Sequence, residues 1–318
     1  MNGTASPAAR KGFQAERFDF ASFFFSGLTG LATLLILSIL AVILINIAAN
    51  GWSGLSWHFV STIPKKDFFN PETTGVLPMI IGTTIRVFLM TIFVIPIGVI
   101  TAVYLTEYAS QKAPLTRIIR AAVNNLAAVP SIVFGLFGLG FFINFIGRNI
   151  DSLLNNPGPV WGQPALLWAS LTLAVMTLPV VIVATEESLK AIPPGLREAS
   201  LALGATKLET IVRIVLPQAL PGIMTGGILA ISRAAGEVAP ILFTGVAYYM
   251  ASLPHRLTDQ FMDLGYHVFV LSTQSPNIEQ TRPILYATVM VLLMLTFALN
   301  LVAILIRARM RKKLRALG

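Results

Sequence analysis

The chain has no cysteine. Disulfides, thiol catalysis and thiolate metal sites are therefore excluded, and the redox compartment is left open. Histidine is nearly as scarce, with three residues, His58, His255 and His267, all on stretches that read as outer loops; no metal site or cofactor is expected from them. No lysine is followed by serine or threonine, which rules out a GxxxxGK(S/T) phosphate loop, and no histidine opens an HExxH pair. Charge is sparse as well: 12% of the 318 residues are charged, 55% are hydrophobic and the mean hydropathy is +0.76. A soluble domain carries about twice that share of charge.

What remains is long apolar runs. A helix crossing the hydrocarbon core needs about 20 mostly apolar residues, and six segments qualify, roughly 27–49, 76–106, 117–146, 164–186, 217–249 and 281–306. The expected fold is an all-α membrane protein with six transmembrane helices. The first run follows Arg10, Lys11 and Arg17 as a signal peptide would, but its about 23 residues exceed the about 7 to 15 of a cleaved h-region, so it reads as a retained helix.

The net charge of +9 does not point to nucleic acid, because the basic residues sit at the ends of apolar segments and form no stripe with interleaved aromatics. The positive-inside rule accounts for them. With the N-terminus inside, sixteen basic residues face inward: Arg10, Lys11, Arg17, Lys112, Arg117, Arg120, Lys190, Arg197, Lys207, Arg213 and the tail Arg307, Arg309, Arg311, Lys312, Lys313 and Arg315. Five face outward: Lys65, Lys66, Arg148, Arg256 and Arg282. Both termini are thus expected in the cytoplasm, with an N-terminal segment at 1–26 and a basic tail at 307–318.

Helices two to five are interrupted, by Pro96 and Gly98, by Pro130, Gly135, Gly138 and Gly140, by Pro179, and by Pro221, Gly226, Gly227, Gly236 and Pro240. Small residues of this kind allow close packing, and the density in the fifth helix favours one that lines a cavity. Asn124 and Asn125 are expected to hydrogen-bond across helices.

Between the fourth and fifth helices, residues 187–216 are too patterned for a turn. Pro193 and Pro194 set a helix start; Leu196, Ala199 and Leu203 then share a face, and Gly204 can end the helix in the left-handed conformation. Thr206 and Glu209 stand at capping-box spacing and begin a second helix. Leu208, Ile211, Val212 and Val215 line one face of it, and Pro217 closes it. The pair reads either as an interfacial element on the membrane or as a protruding knob for a cytoplasmic partner.

The spacing Glu198-Ala199-Ser200, three residues, Gly204, nine residues, Ile214, one residue, Leu216-Pro217 resembles the EAA loop of permease subunits of ABC importers. Ser200 in place of the second alanine is the sole departure. The resemblance implies a type I importer permease fold over about 76–306, with Glu198, Ala199, Ser200 and Gly204 contacting an ATP-binding subunit. Segments "NNLAAVPSIVFGLFG" (124–138), "TEESLKAIPPGLREASLALGATK" (185–207), "LPQALPGIMTGGILAISRAAGEVAPILFTG" (216–245) and "LTDQFMDLGYHVFVLSTQ" (257–274) are similar to the A-type permease of the phosphate-specific transport system (PstA-type). Val238 stands where that family often has threonine. What this implies is a non-enzymatic inner-membrane subunit. It would import inorganic phosphate with a homologous C-type permease, two ATP-binding subunits and an external phosphate-binding protein. An importer for another solute, such as molybdate, phosphonate or an amino acid, is the alternative; a channel or secondary transporter is a third.

Chemistry at the membrane midpoint agrees with an anion. Arg233 lies about 24 Å along the fifth helix from Pro217, where inserting an arginine costs roughly 3 kcal/mol. Glu237, one turn on, can pair with it. Arg86, about ten residues inside the second helix, is also too deep to reach water easily. Arg233, Glu237 and Arg86 are the candidate pathway residues and sum to +1; a guanidinium fork fits phosphate oxygens. Arg233 and Glu237 could instead form a structural clasp, and Arg86 could pair with a partner subunit.

Overall fold

The computed structural model of the protein describes residues 20–64, 69–70 and 74–315. Arg10, Lys11, Arg17, Lys65 and Lys66, used above to orient the chain, lie outside the described residues, as does most of the expected N-terminal segment. Among the described residues regular structure is helical apart from one parallel bridge between Val246 and Phe261. Six helical stretches are long and apolar enough to cross a membrane: Ser22–Gly54, Leu77–Tyr108, Ser131–Leu153, Leu166–Lys190, Lys207–Gly236 and Ile278–Lys312.

The chain divides into two compact units, 1–48 and 49–318. The first consists, as described, of nearly all of α1 (Phe20–Gly51). This helix is apolar on every side, as a lipid-crossing helix is. Its hydroxyls turn inward to their own backbone: Thr29 donates to Ser26 O at 2.9 Å, Thr33 to Thr29 O at 2.8 Å and Ser38 to Leu34 O at 2.8 Å, so that these groups ask nothing of the lipid.

The second unit begins with α2 (Trp57–Ser61), whose Ser56 cap accepts from Phe59 N. α3 (Leu77–Val103) runs through a π-helical turn to Tyr108. α4 (Pro114–Leu126) follows, then α5 (Ser131–Phe137), which a π-helical stretch at Gly138–Gly147 joins to α6 (Arg148–Leu153). After α7 (Leu166–Lys190) come α8 (Pro194–Ala202) and α9 (Lys207–Thr210); a π turn at Ile211–Val215 leads into α10 (Leu216–Gly236). The last elements are α11 (Leu264–Thr273) and α12 (Ile278–Arg315).

Three expectations are corrected by these bounds. The apolar run at 117–146 is broken: α4 ends at Leu126, and helix resumes only after Pro130, whose own ψ is 139°. Proline removes a donor and keeps the residue before it out of the helical region. Asn124 and Asn125 consequently sit exposed on α4. Second, Pro217 does not close the knob, because α10 takes it in its first turn. The wider π turn just before it loosens the backbone ladder where the proline nitrogen has nothing to donate. Third, the run at 217–249 stops at Gly236, and Glu237 is already extended at φ −81°, ψ 128°. Pro240 cannot supply the N–H that the carbonyl of Gly236 would need.

α7 is the central helix, with 67% of its most apolar stretch buried. Leu173, Met176 and Val181 of α7 pack with Val87, Met90 and Val94 of α3 and with Ala230, Ala234 and Ala235 of α10. Alanines at that seam let two backbones approach closely.

The non-helical backbone at 237–263 is held partly by a helix end and partly by bonds within itself, as buried main-chain groups require. Ala165, Leu166 and Leu167 at the start of α7 donate their orphan N–H groups to Thr244 O, Asp259 O and Leu257 O at 2.9, 2.8 and 3.0 Å. Ala247 N donates to Phe261 O at 2.8 Å and Phe261 N to Gly245 O at 3.3 Å. Asp259 accepts the N–H groups of His255 and Arg256, both at 2.9 Å, and these hold its carboxyl below the usual range.

Gly82 makes this packing possible, since a Cβ there would collide with the main-chain oxygen of Met262. We expect Gly82→Ala to destabilise the chain by about 1–3 kcal/mol, read as a lowered thermal midpoint in detergent. Gly140→Ala, with open space around the added carbon, should leave the midpoint unchanged; equal midpoints for both variants would contradict the packing argument.

Candidate functional site

Arg86 sits nine residues into α3, about 14 Å from its start. Its side chain is 0% exposed, as is that of Asp263, and the two meet at 2.9 Å through Nη2 and Oδ2. The guanidinium reaches further. Nη1 donates to the main-chain oxygen of Glu237 at 3.1 Å, and Nη2 to that of Ala235 at 3.4 Å. These carbonyls flank the end of α10, where main-chain acceptors have no helical partner and carry partial negative charge. Nε is buried and has no hydrogen-bond partner among the described residues.

Asp263 is held from three sides. Thr83, three residues before Arg86 on α3, donates to Oδ2 at 2.8 Å and accepts from Leu264 N at 3.1 Å. Tyr266 N donates to Oδ1 at 3.2 Å, which makes Asp263 the N-cap of α11. The sequence alone places Asp263 on an outer loop and gives it no role. The interior charges described here are two arginines and two carboxylates, Arg86, Arg233, Glu237 and Asp263, and they sum to zero rather than +1. The signal available was an aspartate directly before an apolar run of ten residues, too short to span yet bounded like a helix. His267, expected on a loop, is buried inside that same α11.

Arg233 and Glu237 are of another kind. Nε of Arg233 lies 3.3 Å from Oε1 of Glu237, and the side chains are 43% and 23% exposed. Arg233 stands on the last turn of α10, and Glu237 is the first residue beyond it. An open pair of this sort adds at most about 1 kcal/mol to stability. Beside it, Asn300 on α12 donates to Ser232 Oγ at 3.1 Å. The three expected pathway residues are thus brought to one helix end, but Arg86 lies enclosed behind it while Arg233 and Glu237 are open.

At the other end of α10 stands the knob. Gly204 has φ +85°, and the Thr206–Glu209 capping box is formed in both directions. Glu198 and Ala199 are exposed, and Ser200 Oγ lies 2.9 Å from Thr210 Oγ1. Ala199, Ser200, Leu203, Gly204 and Arg213 line a hollow of about 530 Å³, and Leu203 is 90% exposed. The expected face of the second helix is divided: Ile211 and Val215 are buried, Leu208 and Val212 exposed, so the helix meets the bundle by one edge only.

A polar network fastens the knob to the bundle, with pairings that sequence reasoning missed. Arg197 on α8 donates to Glu107 at 2.8 Å, to Leu189 O at 2.8 Å and to Ile192 O at 2.9 Å. The last two are carbonyls at the end of α7, which a cation there favours. Arg120 of α4 reaches Glu186 of α7 at 2.7 Å and Leu105 O at 3.0 Å, and Lys190 shares Glu186 at 3.1 Å.

Residues 94–315 match the family model described as the binding-protein-dependent transport system inner membrane component. The chain is 35% identical over 219 residues to a probable ABC transporter permease protein, YqgI, of Bacillus subtilis, covering 69% of this chain and 68% of that one. It is 37% identical over 201 residues to the phosphate transport system permease protein PstA 1 of Mycobacterium tuberculosis, covering 62% and 60%. To the phosphate transport system permease protein PstC of Mesorhizobium japonicum it is 32% identical over 255 residues, covering 75% and 77%. In fold it resembles a chain from the crystal structure of a bacterial alginate ABC transporter in complex with an alginate-pentasaccharide-bound periplasmic protein, with a TM-score of 0.61, 14% identity and 89% and 93% coverage.

A sealed ion pair predicts strong coupling. Arg86→Gln or Asp263→Asn alone leaves one buried charge unanswered and should cost about 3–5 kcal/mol. The double variant should lose less than the sum by about 2 kcal/mol. Strictly additive losses in thermal unfolding would show that the two charges do not depend on each other.

Proposed function

Because the chain belongs to the family of binding-protein-dependent transport system inner membrane components, we propose that it carries inorganic phosphate through the ATP-driven importer of which it is a permease subunit. As a member of that family it is a multi-pass protein of the inner membrane, and it has no catalytic role of its own. Importers of this class join permeases to ATP-binding subunits and a binding protein. For this chain we take these to be a C-type permease, two ATP-binding subunits and an external phosphate-binding protein.

The observation that carries the phosphate reading is the contrast between the interior charges. Arg86 and Asp263 are closed to solvent, whereas Arg233 and Glu237 are open at the end of a helix that stops inside the bundle. A half-exposed guanidinium whose present partner is weakly held can exchange that carboxylate for two oxygens of a tetrahedral anion. Glu237 beside it accepts a hydrogen bond only from an oxyanion that still carries a proton, which hydrogen phosphate does at neutral pH. Similarity to phosphate permeases of both types supports the same substrate, and the segments at 124–138, 185–207, 216–245 and 257–274 favour the A-type. On this reading Arg86 is not a contact of the anion but the support behind it.

The knob supplies the coupling. α9, the π turn and α10 form one continuous helical rod from Lys207 to Gly236, and Ser200 touches it at Thr210, so a displacement at Glu198, Ala199, Ser200 and Gly204 is passed through that contact and the Gly204 turn to the rod that carries Arg233. The exposed Leu203 suits an apolar cleft in an ATP-binding subunit. ATP binding there shifts the permease between outward-open and inward-open populations.

Two substitutions check this. Arg233→Ala should leave the complex assembled and lower uptake of labelled phosphate at least about a hundredfold, the loss of a charge-assisted, two-pronged contact; full uptake, or uptake of a different solute only, would remove phosphate from this site. Gly204→Lys forces a side chain into the left-handed region. It should reduce co-purification of the ATP-binding subunit, and undiminished co-purification with normal coupling would contradict the knob.

A further inference from the structure

A countercharge for Asp263 needs one nitrogen, yet Arg86 uses two and spreads them over three acceptors. Two of those acceptors are the carbonyls on either side of Gly236. Glu237 is consequently divided: its main-chain oxygen is gripped from behind by Arg86, while its side chain, partly exposed, pairs with Arg233. The grip is itself anchored, because Asp263 caps α11 and accepts from Thr83 on α3. Gly82, by admitting the Met262 carbonyl against α3, brings Asp263 into reach.

We propose that Arg86 is a positioning residue for translocation, its fork acting as an external C-cap that ends α10 at a fixed point and so sets where Arg233 and Glu237 stand. The proposal rests on the reading of those two residues as the anion contact. Without the fork, the carbonyls of Ala235 and Glu237 lose their donors on the buried side, and the helix end frays until they find others. Lysine in place of Arg86 keeps the charge for Asp263 but, as a compact ammonium on a flexible stem, does not hold the two separated carbonyls in one plane with it.

The absence of cysteine from the chain provides the probe. Gly236 is exposed and has open space where a Cβ would go, so Gly236→Cys places a single thiol between the two gripped carbonyls. In the assembled transporter, reconstituted with its binding protein, this introduced thiol is reacted with a charged methanethiosulfonate and the modified chain is followed by mass. Adding Arg86→Lys should raise the labelling rate about tenfold, as expected for losing one hydrogen bond to a charged group. With Gly236 unaltered, Arg86→Lys should cut Vmax for phosphate uptake about tenfold while KM stays within about twofold, since capture by the binding protein comes first. An unchanged labelling rate, with or without a fall in Vmax, overturns the proposal.

Should Arg86→Lys fail to assemble, the neutral pair Arg86→Gln with Asp263→Asn carries the same test. A parental labelling rate in that double variant is equally fatal. The dependence on the anion-contact reading is separable: full uptake by Arg233→Ala would end that reading while leaving the response of the introduced thiol to Arg86→Lys intact as a purely structural cap.

Discussion

A helix that stops inside a bundle leaves carbonyls on its buried side that need donors, and the rest of the architecture follows from how those at the end of α10 are answered. Arg86 supplies the donors, Asp263 makes Arg86 tolerable in an apolar interior, and Thr83 with the first turn of α11 makes Asp263 tolerable in turn. Each polar group is acceptable only because of the next one. The network closes on itself across α3, the end of α10 and the start of α11, elements separated by up to 181 positions in sequence. What the closure leaves outside it is the Arg233–Glu237 pair, whose side chains remain 43% and 23% exposed.

The end of the bundle that carries the knob repeats the logic with more exposed side chains. Arg197 satisfies carbonyls at the end of α7 and pairs with Glu107, and Arg120 answers Leu105 O while pairing with Glu186. Both arginines tie a helix terminus to a carboxylate on another helix. The knob is thereby joined to α7 by polar contacts and to α10 by continuous backbone.

Much of this is legible in the sequence where the information is local. Six apolar runs, the capping box at Thr206 and Glu209, and the left-handed Gly204 depend on neighbours within a few positions. The four-residue spacing of Arg233 and Glu237, which pairs them, is local as well, although the helix that carries Arg233 ends sooner than the apolar run suggests. What is not legible depends on pairings far apart in the chain. Asp263 precedes a run too short to cross a membrane, so nothing local marks it as lying level with Arg86. Gly236 and Pro240 are visible as helix breakers, but whether a break inside an apolar run is tolerated depends on donors from elsewhere, and spacing cannot assign Arg86 to it. The Arg120–Glu186 and Arg197–Glu107 pairs escape for the same reason, since in the sequence their arginines are only charges on the inner side.

The segment between α10 and α11 is irregular in outline, yet three of its carbonyls are spoken for by the opening amides of α7. Those amides belong to the most enclosed of the six membrane-length helices among the described residues. The segment is thus pinned at Thr244, Leu257 and Asp259, and freeing any one of these carbonyls strands an amide of α7. Movement of this segment therefore costs hydrogen bonds at the opening turn of α7 as well as within the segment itself.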